Sequence, residues 1–196
     1  MSISAAPVYG HTDYKLIALL ADPATPSAST EISSKAHNWG YSFGLLGHYA
    51  FSSRWSASVG VWATQSVSAK GEFAVDGNKT MITYPNNHPF EYAYKIPVLL
   101  TYQGSTHRLA PYFSAGATLN FRPPAYVNIN GTEAPVKFGK AVTVVPLVGI
   151  GAIYRLNERL SLIAQPTIQY TIESRPTYSY YHAYQLSLQT QLQYRF

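Results

Sequence analysis

The last thirteen residues, Tyr184 to Phe196 (YQLSLQTQLQYRF), constrain this chain more than any other stretch. Every second residue gives Tyr184, Leu186, Leu188, Thr190, Leu192, Tyr194 and Phe196, and between them lie Gln185, Ser187, Gln189, Gln191, Gln193 and Arg195. A repeat of two puts the two sets on opposite faces of a β-strand. A helix gathers residues three and four apart, so neither set could share a helical face. One face is apolar with aromatics at its ends, and the other is polar without dense charge. That is the pattern of a strand crossing the wall of an outer-membrane barrel.

The same alternation recurs upstream. Trp39, Tyr41, Phe43, Leu45, Tyr49 and Phe51 oppose Gly40, Ser42, Gly44, Leu46, His48 and Ala50. Trp55, Ala57, Val59, Val61 and Ala63 oppose Ser56, Ser58, Gly60, Trp62 and Thr64. Further strands read at 90–103, 109–121, 141–154 and 160–173, and the faintest lies at 8–20. There Tyr14, Leu16, Ala18 and Leu20 share a face, with Asp13 and Lys15 on the other. With 39–51, 55–69 and 183–196 this makes eight strands in one domain spanning 1–196. The expected fold is all-β: an eight-stranded, antiparallel, up-and-down transmembrane β-barrel.

The connections alternate in length. Those near residues 21–38, 70–88, 122–140 and 174–182 are long and polar, whereas Ser52-Ser53-Arg54, Gly104-Ser105 and Leu156-Asn157-Glu158 are tight. Membrane barrels have short turns on the periplasmic side and long loops outside. Strands of about 11 to 14 residues suffice to cross a bilayer at a tilt. Eight strands leave an interior that side chains can fill. Pro97, Pro146 and Pro166 each lack a ladder donor and so predict bulges or rim positions, while Pro111 opens its strand.

Composition agrees. Charged residues are 12 % of the chain, about half the share in a soluble domain, and there are 17 Tyr. Tyr and Trp favour the membrane interface. The 14 Lys and Arg are scattered singly, which argues against nucleic-acid binding. No cysteine is present for disulfides or thiolate metal sites. The apolar run 141–154 is too short and broken for a membrane helix. MSISAAPVYG lacks the charged and apolar regions of a signal peptide, as expected of a mature or trimmed export product or of the end of a longer chain.

The segments GYSFGLLGHYAFSSRWSASVGVWATQ (40–65), YKIPVLLTYQ (94–103), PYFSAGATLNF (111–121) and LQYRF (192–196) resemble the PorT-like and OmpA-like eight-stranded outer-membrane barrels of Bacteroidota. An Ile-Pro inside an apolar strand, as at Ile96-Pro97, is typical of that group. The resemblance implies a bacterial outer-membrane location and no single activity. The terminal Phe196 matches the residue that the barrel-assembly machinery is thought to read.

No chemistry-bearing motif stands out. The six His (His11, His37, His48, His88, His107, His182) lack metal-ligand spacing, there is no GxSxG elbow, and Gly149-Ile150-Gly151 precedes no helix. The sequence therefore predicts no enzyme, no cofactor and no metal. Small inward residues that make room for bulky neighbours explain those glycines better. Glu91, Lys95, Arg155, Glu173, Arg195 and His48 take inward or strand-end positions and are expected to form a polar network closing the lumen, since buried charges persist when paired. Trp39, Tyr41, Phe90, Tyr92, Tyr178, Tyr180, Tyr181 and Tyr184 are expected to form an aromatic girdle or a recognition surface in the last loop. The expected partners are the lipid bilayer, the assembly machinery through the last strand, and an unidentified loop ligand, for a chain acting as a monomer. Two other readings remain open at this point: a soluble lipocalin-like barrel holding an apolar ligand, and an outer-membrane enzyme acting on lipid or peptide.

Overall fold

The computed structural model describes residues 1–19, 29–75, 78–85, 93–105, 107–121, 125–129, 132–136, 142–171 and 178–195, all in strands and connecting turns with no helix among them. Among the described residues there are eleven strands: β1 Ser2–Leu19, β2 Ser29–Ala50, β3 Trp55–Val75, β4 Asn78–Pro85, β5 Ala93–Gln103, β6 Leu109–Phe121, β7 Ala125–Ile129, β8 Thr132–Val136, β9 Val142–Arg155, β10 Leu160–Thr171 and β11 Tyr178–Tyr194. Eight are staves of one closed, antiparallel ring. Consecutive staves β1, β2, β3, β5, β6, β9, β10 and β11 pair in chain order, and β11 pairs back on β1. The three remaining strands are excursions: β4 folds back on the upper part of β3, and β7 pairs with β8.

Register fixes the shape of the ring. Stepping from His48 on β2 across each pairing leads through Ser58, Leu99, Gly116, Leu147, Gln169, Gln185 and Gly10, and returns to β2 at Asn38. The circuit closes ten residues from its start, which requires strands tilted by about 40° to the barrel axis. The interior is then only as wide as its side chains.

Three tight turns close one end. The hydroxyl of Ser52 accepts from the N–H groups of Arg54 and Trp55, and Oδ1 of Asn157 accepts from those of Arg159 and Leu160. Met1 and Tyr194 meet at this inner end, where the Met1 ammonium donates to the Tyr194 carbonyl at 2.9 Å and Tyr194 N–H donates to the Met1 carbonyl at 2.8 Å.

The staves turn their apolar side chains outward. Along β10, Leu162, Ala164, Ile168 and Tyr170 are exposed, whereas Ser161, Gln165, Thr167 and Gln169 are buried inside. Ile3, Phe43, Leu45, Val59, Val61, Val98, Leu100, Val148, Ile150, Leu188 and Leu192 extend the exposed belt around the ring. Aromatic pairs bound it. At the outer edge Tyr9 lies opposite Trp39, Tyr94 opposite Phe121 and Tyr170 opposite Tyr184. At the inner edge the rings of Trp55 and Tyr102 are 4.9 Å apart, Tyr102 and Phe113 6.3 Å apart, and Arg108 stands 5.1 Å from the ring centre of Tyr154. Tyr184 and Tyr194 lie ten residues apart on β11, which at ~3.3 Å per residue and this tilt spans about 25 Å along the axis.

Beyond the outer ring, β1 to β4 continue as a projecting sheet, so three expectations need correction. Residues 29–38, 70–75 and 78–85 were expected within loops and are strands; so are 125–129, 132–136 and 178–182. Their sequences carry no steady apolar–polar alternation. The first stave starts at Ser2 instead of near Val8, and its outward phase is Ile3, Ala5, Pro7 and Tyr9. That phase continues through His11, Asp13 and Lys15, the opposite of an oily Tyr14–Leu20 face. The reason is height. Residues beyond His11 belong to the projection, whose outer face carries the ion pairs Asp13–Lys35 at 3.6 Å and Lys15–Glu31 at 2.6 Å.

The prolines also behave differently from expectation. Pairing lapses beside Pro97 between Val59–Val98 and Trp62–Lys95, and beside Pro166 between Ala152–Ala164 and Gly149–Thr167, yet the register is unchanged across each gap. A missing donor thus costs local bonds without inserting a residue. The register shift between β2 and β3 lies at the outer ring, where Val67 is left over between Ser66, opposite Gly40, and Ser68, opposite Trp39. The projecting sheet leaves the barrel there.

Candidate functional site: the lumen and its outer vestibule

The inward phase of every stave fills the lumen in layers. Mid-barrel, Leu46, Trp62, Leu99 and Leu147 form an apolar cluster, each at most 5 % exposed. Nearer the inner end Ala110, Tyr112, Ile153 and Ile163 form a second. Polar cross-bonds fill much of the rest. Gln165 Nε2 donates to Ser114 Oγ at 2.5 Å, Thr167 and Ser187 hydroxyls meet at 2.6 Å, and the Thr118 hydroxyl donates to Gln169 Oε1 at 3.3 Å. An interior expected to be polar is therefore interrupted by oily layers, because the inward phase includes Leu, Ile and Trp at matched registers.

Lys95 is 5 % exposed, and its ammonium donates to Gln185 Oε1 at 2.6 Å across the lumen. His48 sits near the inner mouth with Nε2 2.8 Å from the Ser2 hydroxyl. Arg195 donates to Gln103 Oε1 at 3.3 Å, at the same mouth. Arg155 does not enter a lumen network: its guanidinium donates to the carbonyls of His107, at 2.5 Å, and Ser105, at 3.4 Å, and so pins the short turn at the inner rim. Glu91 and Glu173 lie outside the described residues. All three described ion pairs are on the projecting sheet, the third being Glu72–Lys79 at 2.6 Å.

Of the predicted aromatic set, Trp39 and Tyr41 face outward on β2, with the Tyr41 hydroxyl donating to Gln65 Oε1. Tyr184 lies tilted against His11, ring centres 5.0 Å apart. Tyr181 takes the other phase of β11, that of Ala183 and Gln185, and lines the lumen mouth instead of the girdle. Phe90, Tyr92 and Phe196 lie outside the described residues, as do the side chains of Tyr178 and Tyr180. The inner ring of Trp55, Tyr102, Phe113 and Tyr154 was not singled out from sequence, although each occupies the outward phase at a strand end.

Two arrangements bring chemistry-bearing side chains together. The Ser2–His48 contact has the distance of a nucleophile–base pair. However, Ser2 is 1 % exposed and His48 Nδ1 has no hydrogen-bond partner, so no third group orients the imidazole. His11 and His37 meet with their Nδ1 atoms 3.0 Å apart, one step beyond the Tyr9–Trp39 pair, and the Tyr9 hydroxyl lies 2.5 Å from the same nitrogen of His37. Burial first and then the neighbouring His37 push the His11 pKa below its usual value, against an opposing pull from Asp13 and with the least push from Lys35. No group of three potential metal ligands converges among the described residues.

The outer mouth holds a cup of about 260 Å³, lined among others by Lys95, Asn120, Thr64, Ser66, Tyr181 and Gln185. The inner mouth holds a larger hollow of about 480 Å³ beside His48, Gln193 and Arg195. The apolar clusters lie between them.

No family model matches the chain, and no curated protein matches it. Among solved structures, Neisserial surface protein A is similar at 13 % identity, with 99 % of each chain covered and a TM-score of 0.43. The N-terminal β-barrel domain of Pseudomonas aeruginosa OprF is similar at 15 % identity, with 96 % of each chain covered and the same score. Ail, the attachment invasion locus protein of Yersinia pestis, is similar at 9 % identity over 100 % of this chain and 98 % of that one, with a score of 0.29. At such scores the assignment of the barrel rests on the strand pairings.

Proposed function

We propose that this chain is an integral β-barrel protein of the bacterial outer membrane, non-enzymatic, whose closed lumen makes it an anchor for the surface it presents outside. The observation that carries the reading is the inverted exposure of the staves. An apolar belt about 25 Å tall between two aromatic rings matches the lipid-facing band of membrane barrels. In water the same belt would be a large exposed apolar patch, a liability for a soluble monomer. A lipocalin-like barrel needs the opposite orientation, with apolar side chains lining a cavity, whereas here Ser, Thr and Gln fill much of the inside.

The apolar layer at Leu46, Trp62, Leu99 and Leu147 supports a plug, not a pore. The projecting sheet of β1 to β4 supports a role in recognition outside the cell, at a surface carrying Asp13, Lys35, Lys15 and Glu31. Within this reading the protein works as a monomer without nucleic acid, β11 with its terminal Phe196 is the strand offered to the assembly machinery, and the PorT-like and OmpA-like resemblance supports a kinship with barrels that serve many roles.

The test is electrophoretic. Membrane-fraction protein, extracted in detergent and run with and without boiling, should show a heat-dependent shift in mobility. A chain that remains soluble and monomeric without detergent would sink the proposal.

A further inference from the structure

The row of inward residues at the level of Lys95 is unlike the rest of the lumen. Trp62 on β3, Lys95 on β5, Asn120 on β6 and Thr143 on β9 stand directly opposite one another across three successive pairings. In this row the Trp62 indole N–H, the Asn120 side-chain oxygen and the Thr143 hydroxyl are all buried without a hydrogen-bond partner. Lys95 has three N–H donors, of which the bond to Gln185 uses one. Elsewhere the lumen satisfies most of its polar groups internally, as at Gln165–Ser114 and Thr167–Ser187. An ammonium kept inside a barrel is costly unless charge or hydrogen bonds compensate it.

This row opens into the outer cup. Lys95 and Asn120 both reach its lining, and the hydroxyls of Thr64 and Ser66 border it. No carboxylate lines the cup among the described residues; the described Asp13, Glu31 and Glu72 form ion pairs on the projecting sheet. Among the described residues the only full charge lining the cup is therefore positive, with uncommitted hydrogen-bonding capacity beside it and an oily floor below.

We propose that the outer vestibule is a binding site for a small oxyanion, a phosphate or sulfate group, held by Lys95 with Asn120 alongside. Lys95 supplies the charge. The Asn120 amide turns a donor toward the ligand, beside the wall residues Thr64 and Ser66, whose hydroxyls are already bonded to Ser42 and Asn38. The volume of about 260 Å³ is at the small end for ligand pockets, so the occupant is the free ion or a small ester and not a polymer. The Leu46–Trp62–Leu99–Leu147 layer beneath makes the cup a dead end, so the ion is bound and not conducted. The inference rests on the closed barrel, but not on what the projecting sheet recognises.

The experiment uses the full chain folded in detergent, with heat-dependent gel mobility of each variant verifying the fold independently of ligand. Inorganic phosphate and inorganic sulfate are titrated while the indole N–H resonances of Trp39, Trp55 and Trp62 are followed by NMR. The expected result is a saturable shift of the Trp62 signal alone, since Trp39 and Trp55 are on the outer wall. Lys95→Met should weaken binding roughly tenfold or more, with Lys95→Arg retaining it and Asn120→Leu giving an intermediate loss. A Trp62 signal that does not move in wild type, or moves equally in K95M, overturns the site. So does saturable binding that appears only in Glu91→Gln or Glu173→Gln variants, because the chain's own carboxylate would then be the occupant. A non-saturating drift of all three signals, the mark of ionic strength alone, counts against it equally.

Discussion

Gln165 of β10 reaches over Gly149 of β9. A Cβ at Gly149 would lie 2.3 Å from the Gln165 amide nitrogen, the atom that donates to Ser114 on the next stave at 2.5 Å. The glycine lets one polar side chain bridge three staves inside the barrel. Gly149→Ala should push the amide off Ser114 and cost about 1–3 kcal/mol, the usual cost of a buried donor left unpaired. Gly60→Ala should cost more, because its Cβ would meet the Leu45 carbonyl oxygen at 1.9 Å and backbone cannot swing aside. Urea unfolding of the protein folded into lipid vesicles checks both; equal midpoints for the two variants would refute the distinction.

The outward belt predicts a depth-dependent penalty. Val148 is exposed near the middle of the belt on β9. Val148→Arg should destabilise by about 2–4 kcal/mol, as expected for a charge at the bilayer midplane. By contrast, Lys35→Ala, which removes the exposed partner of Asp13 on the projection, should change stability by under about 1 kcal/mol. Both are read from the same vesicle unfolding curves, and a reversal of their order would contradict the assignment of the two heights.

Acid should act at the outer ring. Because the His11 pKa is lowered in the folded protein by burial and by His37, the unfolded chain binds its proton more readily. His11 therefore favours folding fully above the ordinary His pKa of about 6.5 and loses that contribution as pH falls through the lowered folded value. The groups facing it are His37, Lys35, Asp13, Tyr9 and Tyr184. NMR titration should give His11 an apparent pKa below 6.5 that rises in His37→Ala and falls in Asp13→Asn. An unchanged value in H37A would show that the pair is not coupled.

Lys79 responds in the opposite sense. Its hydrogen bond to Glu72 and the carboxylate charge raise its pKa, so its contribution to the β3–β4 hairpin is present below about pH 10.5 and is lost as pH rises through the folded value. Glu72→Gln should return the lysine titration, followed by its side-chain NMR signals, to the ordinary range.

The staves were legible because each crosses between two unlike solvents. Leu162, Ala164 and Ile168 face one way and Ser161, Gln165 and Gln169 the other, and that contrast is written directly into the sequence. The same cause explains what was hidden. In 70–75 and 78–85 (KGEFAV and NKTMITYP) there is no steady contrast of faces, so turn-forming residues dominate and the segment reads as a loop. The first stave hid because Ser2, Ser4 and Ala6 pack inward beside only one large outward residue, Ile3, before Pro7. The inward positions of Leu46, Trp62 and Leu99 were visible from period alone, but not their meeting in one layer with Leu147, which depends on the register around the ring. Asn120 and Gln185 likewise carry inward phase in the sequence, and only the ring's register brings them to Lys95.

The central claim is that the apolar face of the staves meets lipid, and the cysteine-free sequence gives a direct test. Single cysteines placed at Leu162, Ala164 and Ile168 on β10, and at Ser161, Gln165 and Thr167 between them, are labelled with a small fluorophore and the protein is folded into vesicles containing brominated lipid. The account predicts strong quenching at the first three positions and weak quenching at the second three, alternating residue by residue. Uniform quenching along the strand, or the inverse alternation, would contradict it.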